Sequence, residues 1–354
     1  MKFSKSLIAM VPTIVLVLSL LPSSSAHVPD FQGGGDSLET AAHIHDPLKS
    51  WVIYDELHES GEAHYFSVHM DKGQRLRLQF FSPDQDFFPD VAVMGPGIAE
   101  NETLPAFVEV PSEVGILLIQ GEKQERADFE PFTPASYYYF AKLDWEVTEH
   151  GDYIIAVFHA DQEGKYGMAI GYIETFTLQE WLTVPVDTIA IHEWGGQNIL
   201  LIIAPLTITF VIGLILLVWP PGTGRLTMKT EVWRIMGSFA GLLYVGGGFT
   251  LASQMAFALS KSGLDASSIV TLIFIAIPLI LGSILLRKSI NLEAKLAPKD
   301  RLVLVVLGLL GLFTWAGVIV GPVLSMIGAV LPSSLSVVAG KEGHPDESQT
   351  MEHD

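Results

Sequence analysis

After Gln197 the chain turns apolar. Residues 198–219 read NILLIIAPLTITFVIGLILLVW, and further apolar runs follow at about 235–260, 269–286 and 302–331. Each is long enough to cross about 30 Å of hydrocarbon as a helix. None carries an ionisable side chain in its interior. Lipid offers the backbone no hydrogen bonds, so such runs must satisfy their own. The pattern predicts an α-helical membrane bundle of four transmembrane helices over 198–331. Ion and proton paths place charged or titratable side chains inside such helices. Here the polar groups are Thr207, Tyr244, Thr250, Ser253, Gln254, Thr314 and Ser325, which suit hydrogen bonds between helices. An anchor or an assembly surface is the expected role, with an accessory subunit of a transport complex as an alternative. Gly237-x-x-x-Gly241 and Gly317-x-x-x-Gly321 let backbones approach closely, within the bundle or in a helix-mediated oligomer.

Loop charge sets the orientation. Arg225, Lys229 and Arg234 fall in the first loop, and Arg287, Lys288, Lys295, Lys299 and Arg301 in the third. The second holds only Lys261. Basic loops stay cytoplasmic. The region before the first helix, and the acidic tail at 332–354, are then expected outside the cytoplasm of a multi-pass cell-membrane protein. Residues 1–26 agree, reading as a signal peptide. Lys2 and Lys5 precede the apolar stretch Leu7 to Leu21, and Ser24 and Ala26 supply the small residues of a cleavage site.

The exported part has a different composition. Residues 27–197 hold 30 Asp and Glu against 8 Lys and Arg, so this surface is expected to repel nucleic acid and anionic lipid, and either to attract cations or simply to keep the domain soluble in high salt. The chain has no cysteine, which excludes disulfides, thiolate metal sites and cysteine nucleophiles. Short runs of β-branched and aromatic residues occur at 63–70, 74–81, 90–96, 107–111, 115–121, 136–147, 151–160 and 166–174, punctuated by Gly, Pro, Asp and Asn. They predict an all-β, jelly-roll-like sandwich ectodomain over 35–174. Its core candidates are Phe66, Val68, Leu76, Leu78, Val91, Val93, Ile154, Ala156, Phe158, Met168 and Ile170. A flexible lead, 27–34, precedes it. A connector, 175–197, has apolar residues at helical spacing broken by Pro185 and reads as an amphipathic element lying at the membrane surface. Trp194 is expected there as an interfacial anchor.

The segment GDSLETAAHIHDPLKSWVIYDELHESGEAHYFSVHMDKGQRLRLQF resembles the opening of bacterial and archaeal pre-peptidase C-terminal domains. The matching positions are Asp36-Ser37, Thr40-Ala41, Gly61, Tyr65-Phe66 and Gly73. PDVAVMGPG and GDYIIAVFHADQEGKYGMAIGY are similar to an inner strand and the closing hairpin of that family. The resemblance covers about 40% of the chain and rests on degenerate motifs. It implies a secreted jelly-roll used for binding, or to accompany another activity, rather than for catalysis. In some members acidic residues at the domain's start, and before the Tyr-Tyr strand, bind calcium. Asp36 and Glu39 match the first group. His64 stands where the family has Asp, and histidine is a poor calcium ligand.

Several candidate sites follow from residue type. If cleavage falls after Ala26, His27 offers copper an amine and an imidazole, with His43, His45, His64 or His69 completing the set. Asp84, Asp86 and Asp90 form an oxygen cluster suited to calcium, separate from the Asp36 candidate at the domain's start. Asn101-Glu102-Thr103 is a glycosylation sequon. His192, Glu193 and Trp194 are a further polar group near the membrane. No nucleophile elbow, no His-Glu-x-x-His and no phosphate loop occurs. The expectation is a non-enzymatic, membrane-anchored surface protein. Its acidic domain would serve in binding or assembly, with membrane lipid, a surface polymer or a membrane protein as partner. A copper-binding membrane protein is the alternative.

Overall fold

A computed structural model describes residues 27–218, 229–291 and 296–338. The signal peptide expected at 1–26, the tail beyond 338, and Arg225 and Lys295 lie outside the described residues. The described residues form two compact units, 27–203 with 251–274, and 204–218 and 229–250 with 275–291 and 296–338.

The first unit is built on a β domain of two mixed sheets. Its strands are β1 (Val28–Asp30), β2 (Ala42–Ile44), β3 (Trp51–Leu57), β4 (Glu62–Met70), β5 (Arg75–Ser82), β6 (Asp90–Gly95), β7 (Gly115–Ile119), β8 (Asp128–Glu130), β9 (Ala135–Glu146), β10 (Gly151–His159) and β11 (Gly164–Ile170). One sheet runs β1-β3-β11-β5-β9-β8 and the other β2-β4-β10-β6-β7. The pairs β1–β3 and β2–β4 are parallel, and the rest are antiparallel. Alternation along the strands sends Ile53, Leu57, Phe66, Val68, Met70, Leu78, Val91, Val93, Tyr153, Ile155, Val157, Met168 and Ile170 into one core between the sheets.

Two expectations are corrected here. The lead at 27–34 is built into the domain. Val28 is buried and pairs with Trp51, and Gly35 bridges Tyr65. The run at 107–111 forms no strand. Pro105 and Pro111 lack ladder donors, and the Glu109 amide instead donates to the Tyr65 hydroxyl at 2.6 Å. In β10 the parity is also shifted. Ala156 and Phe158 are buried, but in a second cluster with Tyr65, Met94 and Val108, on the face of that sheet away from the inter-sheet core.

The outer face of the first sheet is covered by α1 (Leu178–Trp194). Thr177 and Glu180 form a capping box at its start, and Lys49 holds Glu180 at 2.6 Å. Trp194, at the end of this helix, is half-buried against the domain. Its ring packs on Tyr54 and Tyr137, and its indole N–H donates to the Asp55 carbonyl at 3.0 Å.

The apolar helices are α2 (Ile199–Val218), α3 (Val232–Ser262) and α4 (Ser268–Ser289), each long enough to span a membrane. In the first unit the β8–β9 hairpin seats on the C-terminal part of α3 and the first turns of α4. Arg126 donates to the Ser262 carbonyl at 2.6 Å, Ser136 to Ala258 O at 2.7 Å, and Thr271 to Pro131 O at 2.7 Å. Arg126 thereby satisfies a carbonyl that the helix end leaves open.

The fourth apolar run is not one crossing helix. It is two, α5 (Pro298–Phe313) and α6 (Val320–Val330), about 24 and 17 Å long and too short to span separately. They pack antiparallel. Ser325 donates to Leu304 O at 2.8 Å, and Arg301 donates to Ala329 O and Leu331 O at 2.5 and 2.8 Å. The reversal turns around Tyr244, whose hydroxyl lies 2.0 Å from where a Cβ at Gly311 would be, and whose ring lies 2.8 and 2.6 Å from where one at Gly317 or Gly321 would be. Trp315, Val318 and Ile319 take positive φ there, a strained conformation for branched residues. Residues 336–338 (β13) then pair with 229–231 (β12) just before α3. Gly241 is also taken up within the chain, against Gly282 O and Leu286 of α4.

Candidate metal centre

His64 is the polar exception in an apolar series. β4 alternates His64, Phe66, Val68 and Met70 toward the core. On β3 Asp55 shares the parity of Ile53 and Leu57, and on β11 Tyr166 shares that of Met168 and Ile170. The β3–β11 register sets Tyr166 opposite Asp55. Alternation alone therefore delivers an acid, an imidazole and a phenol to one end of the space between the sheets.

The three groups interlock. Asp55 Oδ2 accepts from His64 Nδ1 at 2.7 Å, from the Tyr166 hydroxyl at 2.5 Å and from the Gly34 amide at 2.9 Å. Its Oδ1 accepts from the Glu56 amide at 2.8 Å. The glycine run brings the backbone this close. A Cβ at Gly33 would lie 2.5 Å from Asp55 Oδ1, and one at Gly34 would lie 2.8 Å from His64 Cβ.

The other edge of the imidazole faces outward to two more carboxylates. His64 Nε2 is 3.1 Å from Glu62 Oε1 and 3.8 Å from Asp36 Oδ1. The site grades from core to surface, with side-chain exposures of 5% for His64, 9% for Asp55, 21% for Glu62 and 88% for Asp36. Glu62 is anchored through Oε2, which accepts from the His58 and Glu59 amides.

The charges are coupled. Burial alone would raise the Asp55 pKa, but hydrogen bonds from His64, Tyr166 and the Gly34 amide hold it below the usual carboxylate range. Burial likewise opposes ionisation of Glu62, and the His58 and Glu59 amides with His64 outweigh it. For His64 burial favours the neutral ring, while Asp55 and then Glu62 raise its pKa. A carboxylate only accepts hydrogen bonds, so without a metal each ring nitrogen carries a proton toward its acid. One ligand atom from each of Asp36, Glu62 and His64 lies within 4.8 Å of the others. Ligands around a cation bound at 2.0–2.2 Å stand about 3.3 Å apart, so a small closure of Asp36 completes three donors. Asp55 then serves as the outer partner that fixes the imidazole, as carboxylates commonly do behind metal-bound histidine.

The other candidate residues lie elsewhere. His27 sits on the edge of the first sheet, with Nδ1 2.6 Å from Ser50 Oγ, and burial pushes its pKa down to about 4. His43 and His45 belong to the β2 edge of the second sheet, their rings 4.8 Å apart, so the fold does not bring them to His27. Asp84 accepts from the Asp86 amide, Asp86 pairs with Lys123, and Asp90 accepts from the Gly121 amide. Asn101 is exposed, in a bridge to Ile116. His192 is buried, with its pKa lowered by burial to about 4, and Glu193 is exposed. Asp55, Glu62 and Tyr166 were not singled out from sequence. No protein-family model matches the chain, and no characterised protein matches it.

With a chelator present, Asp55→Ala is expected to destabilise the full chain by about 3–5 kcal/mol, because it strands a buried charged partner. Tyr166→Phe, which removes one hydrogen bond, is expected to cost about 1–2 kcal/mol. Asp55 has a lowered folded-state pKa, so its contribution is present above the unfolded value of 3.8 and fades as pH falls through the lower folded value. Denaturant unfolding should show the Asp55→Ala deficit at pH 7 shrinking below pH about 4. A deficit that stays constant with pH would contradict the assignment.

Proposed function

We propose that this protein is a membrane-anchored metal-binding protein. Its extracytoplasmic β domain takes a divalent transition-metal ion at Asp36, Glu62 and His64. The observation that carries the reading is the geometry of His64. It is a buried imidazole, oriented from behind by Asp55, with its second nitrogen turned toward two carboxylates and an open rim. An imidazole with two carboxylates suits zinc, copper or nickel better than calcium, which takes oxygen ligands. The site lies where the resemblance to pre-peptidase C-terminal domains puts calcium ligands, and histidine in place of aspartate changes the class of ion. The negative surface of residues 27–197 concentrates cations around it.

The membrane arrangement that fits best has three crossings, α2, α3 and α4, and a re-entrant hairpin, α5–α6. The first and third loops are basic, which favours the cytoplasmic side. Arg301 at the base of α5 touches the end of α6, and β13 pairs with β12 in the first loop. The chain after Leu331 is therefore assigned to the side of the basic loops, in place of the outer side that four crossings imply.

Zinc titrated into the detergent-purified full chain, followed calorimetrically, is expected to show a site that His64→Gln or Glu62→Gln removes and Asp36→Ala weakens about tenfold. Unchanged binding in His64→Gln would overturn the reading. The chain lacks cysteine, so single replacements report sidedness cleanly. A membrane-impermeant maleimide applied to intact cells should label Glu59→Cys, and should label Ser334→Cys only after permeabilisation. Labelling of both without permeabilisation would restore a fourth crossing.

A further inference from the structure

A second group of metal-ligating side chains lies on the other face of β4, away from the core. Met70 points inward and is fully buried, so His69 and Asp71 point outward. Across the strand pair Asp152 stands opposite His69 and Gly151 opposite Met70, and His150 follows opposite Asp71. His69 and Asp71 thus face Asp152 and His150, with Asp71 and His150 just beyond the ends of β4 and β10. The pairs are made crosswise. His69 Nδ1 meets Asp152 Oδ1 at 2.6 Å, and His150 Nδ1 meets Asp71 Oδ1 at 2.9 Å. The two rings stand edge to face with centroids 4.8 Å apart.

Exposed pairs of this kind contribute little to stability. A carboxylate on Nδ1–H leaves the Nε2 lone pair free and makes it more basic. Here Asp152 holds His69 in this way at the end of β4, and the His150–Asp71 pair stands beside it, just beyond the ends of β4 and β10. One ligand atom from each of His69, Asp71 and His150 falls within 4.8 Å of the others. We propose that His69 and His150, with Asp71 as an oxygen donor and Asp152 as the outer partner of His69, form a second, solvent-open site for a divalent transition-metal ion such as copper, zinc or nickel. Its two imidazoles distinguish it from the Asp36–Glu62–His64 site, which has one. Both imidazoles are half-exposed or more, so water completes the coordination and the ion exchanges readily.

The test uses the detergent-purified full chain carrying no polyhistidine tag, with Zn²⁺ calorimetry and Cu²⁺ electron paramagnetic resonance. His69→Gln with His150→Gln is expected to remove one metal equivalent and leave the His64 equivalent in place. His43→Gln with His45→Gln should leave both. In the His64→Gln background, copper should show hyperfine coupling to two imidazole nitrogens, and that signal should vanish when His69 and His150 are also replaced. Full stoichiometry in the His69/His150 variant, or a residual copper signal with fewer than two nitrogens, would overturn the proposal. Loss of the His64 equivalent alone, or its absence from the start, bears only on the first site.

Discussion

The β domain is organised around one buried carboxylate. Asp55 lies between the sheets, where an unpaired charge is strongly disfavoured, and its side chain is met by donors from three directions. His64 comes from β4 in the opposite sheet, Tyr166 from the adjacent β11, and the Gly34 amide from the segment after β1. On its backbone side the Asp55 carbonyl accepts from Trp194 at the end of α1. One residue thus fixes the closure of the two sheets at this end, the path of the N-terminal segment and the seat of the helix leading to the membrane. Moving any of these elements leaves the carboxylate short of a partner.

The same constraint creates the chemistry. Once Asp55 holds Nδ1, the only freedom left to His64 is what occupies Nε2. Glu62 and Asp36 stand there, and both favour a positive occupant. A proton meets that demand, and a transition-metal ion meets it with further coordinate bonds. The second imidazole group on β4 repeats the carboxylate-backed ring on an exposed face. The strand therefore carries a histidine toward each of its sides, His64 inward and His69 outward, in an otherwise apolar and polar alternation.

Much of the β architecture was legible in the sequence because it rests on period-two alternation, and β4–β7 and β9–β11 fall where that pattern puts them. What it could not supply was partnership. β1, β2 and β8 have three residues each, too few to show a period, and exist because a longer strand lies beside them. Gly33-Gly34-Gly35 reads as slack when taken alone. Its real constraint, the approach of backbone to Asp55 and His64, appears only once the sheets close. The run at 302–331 is equally apolar as one helix or as a hairpin, and the deciding residue, Tyr244, lies on another helix. For the site, His64 stood out as a departure from a calcium pattern. Its inward parity with Phe66 and Val68 was also available in the sequence, whereas Asp55 and Tyr166 were brought to it by sheet pairing.

The central claim is that the Nε2 edge of His64 is a metal position. Anomalous diffraction from crystals of the full chain grown with zinc, recorded on both sides of the zinc absorption edge, tests it most directly. The account predicts an anomalous peak within about 2.0–2.2 Å of His64 Nε2, with Glu62 and Asp36 closed onto it and Asp55 still on Nδ1. No peak at that position, with Nε2 still bonded to the Glu62 carboxylate while zinc occupies other sites, would contradict it.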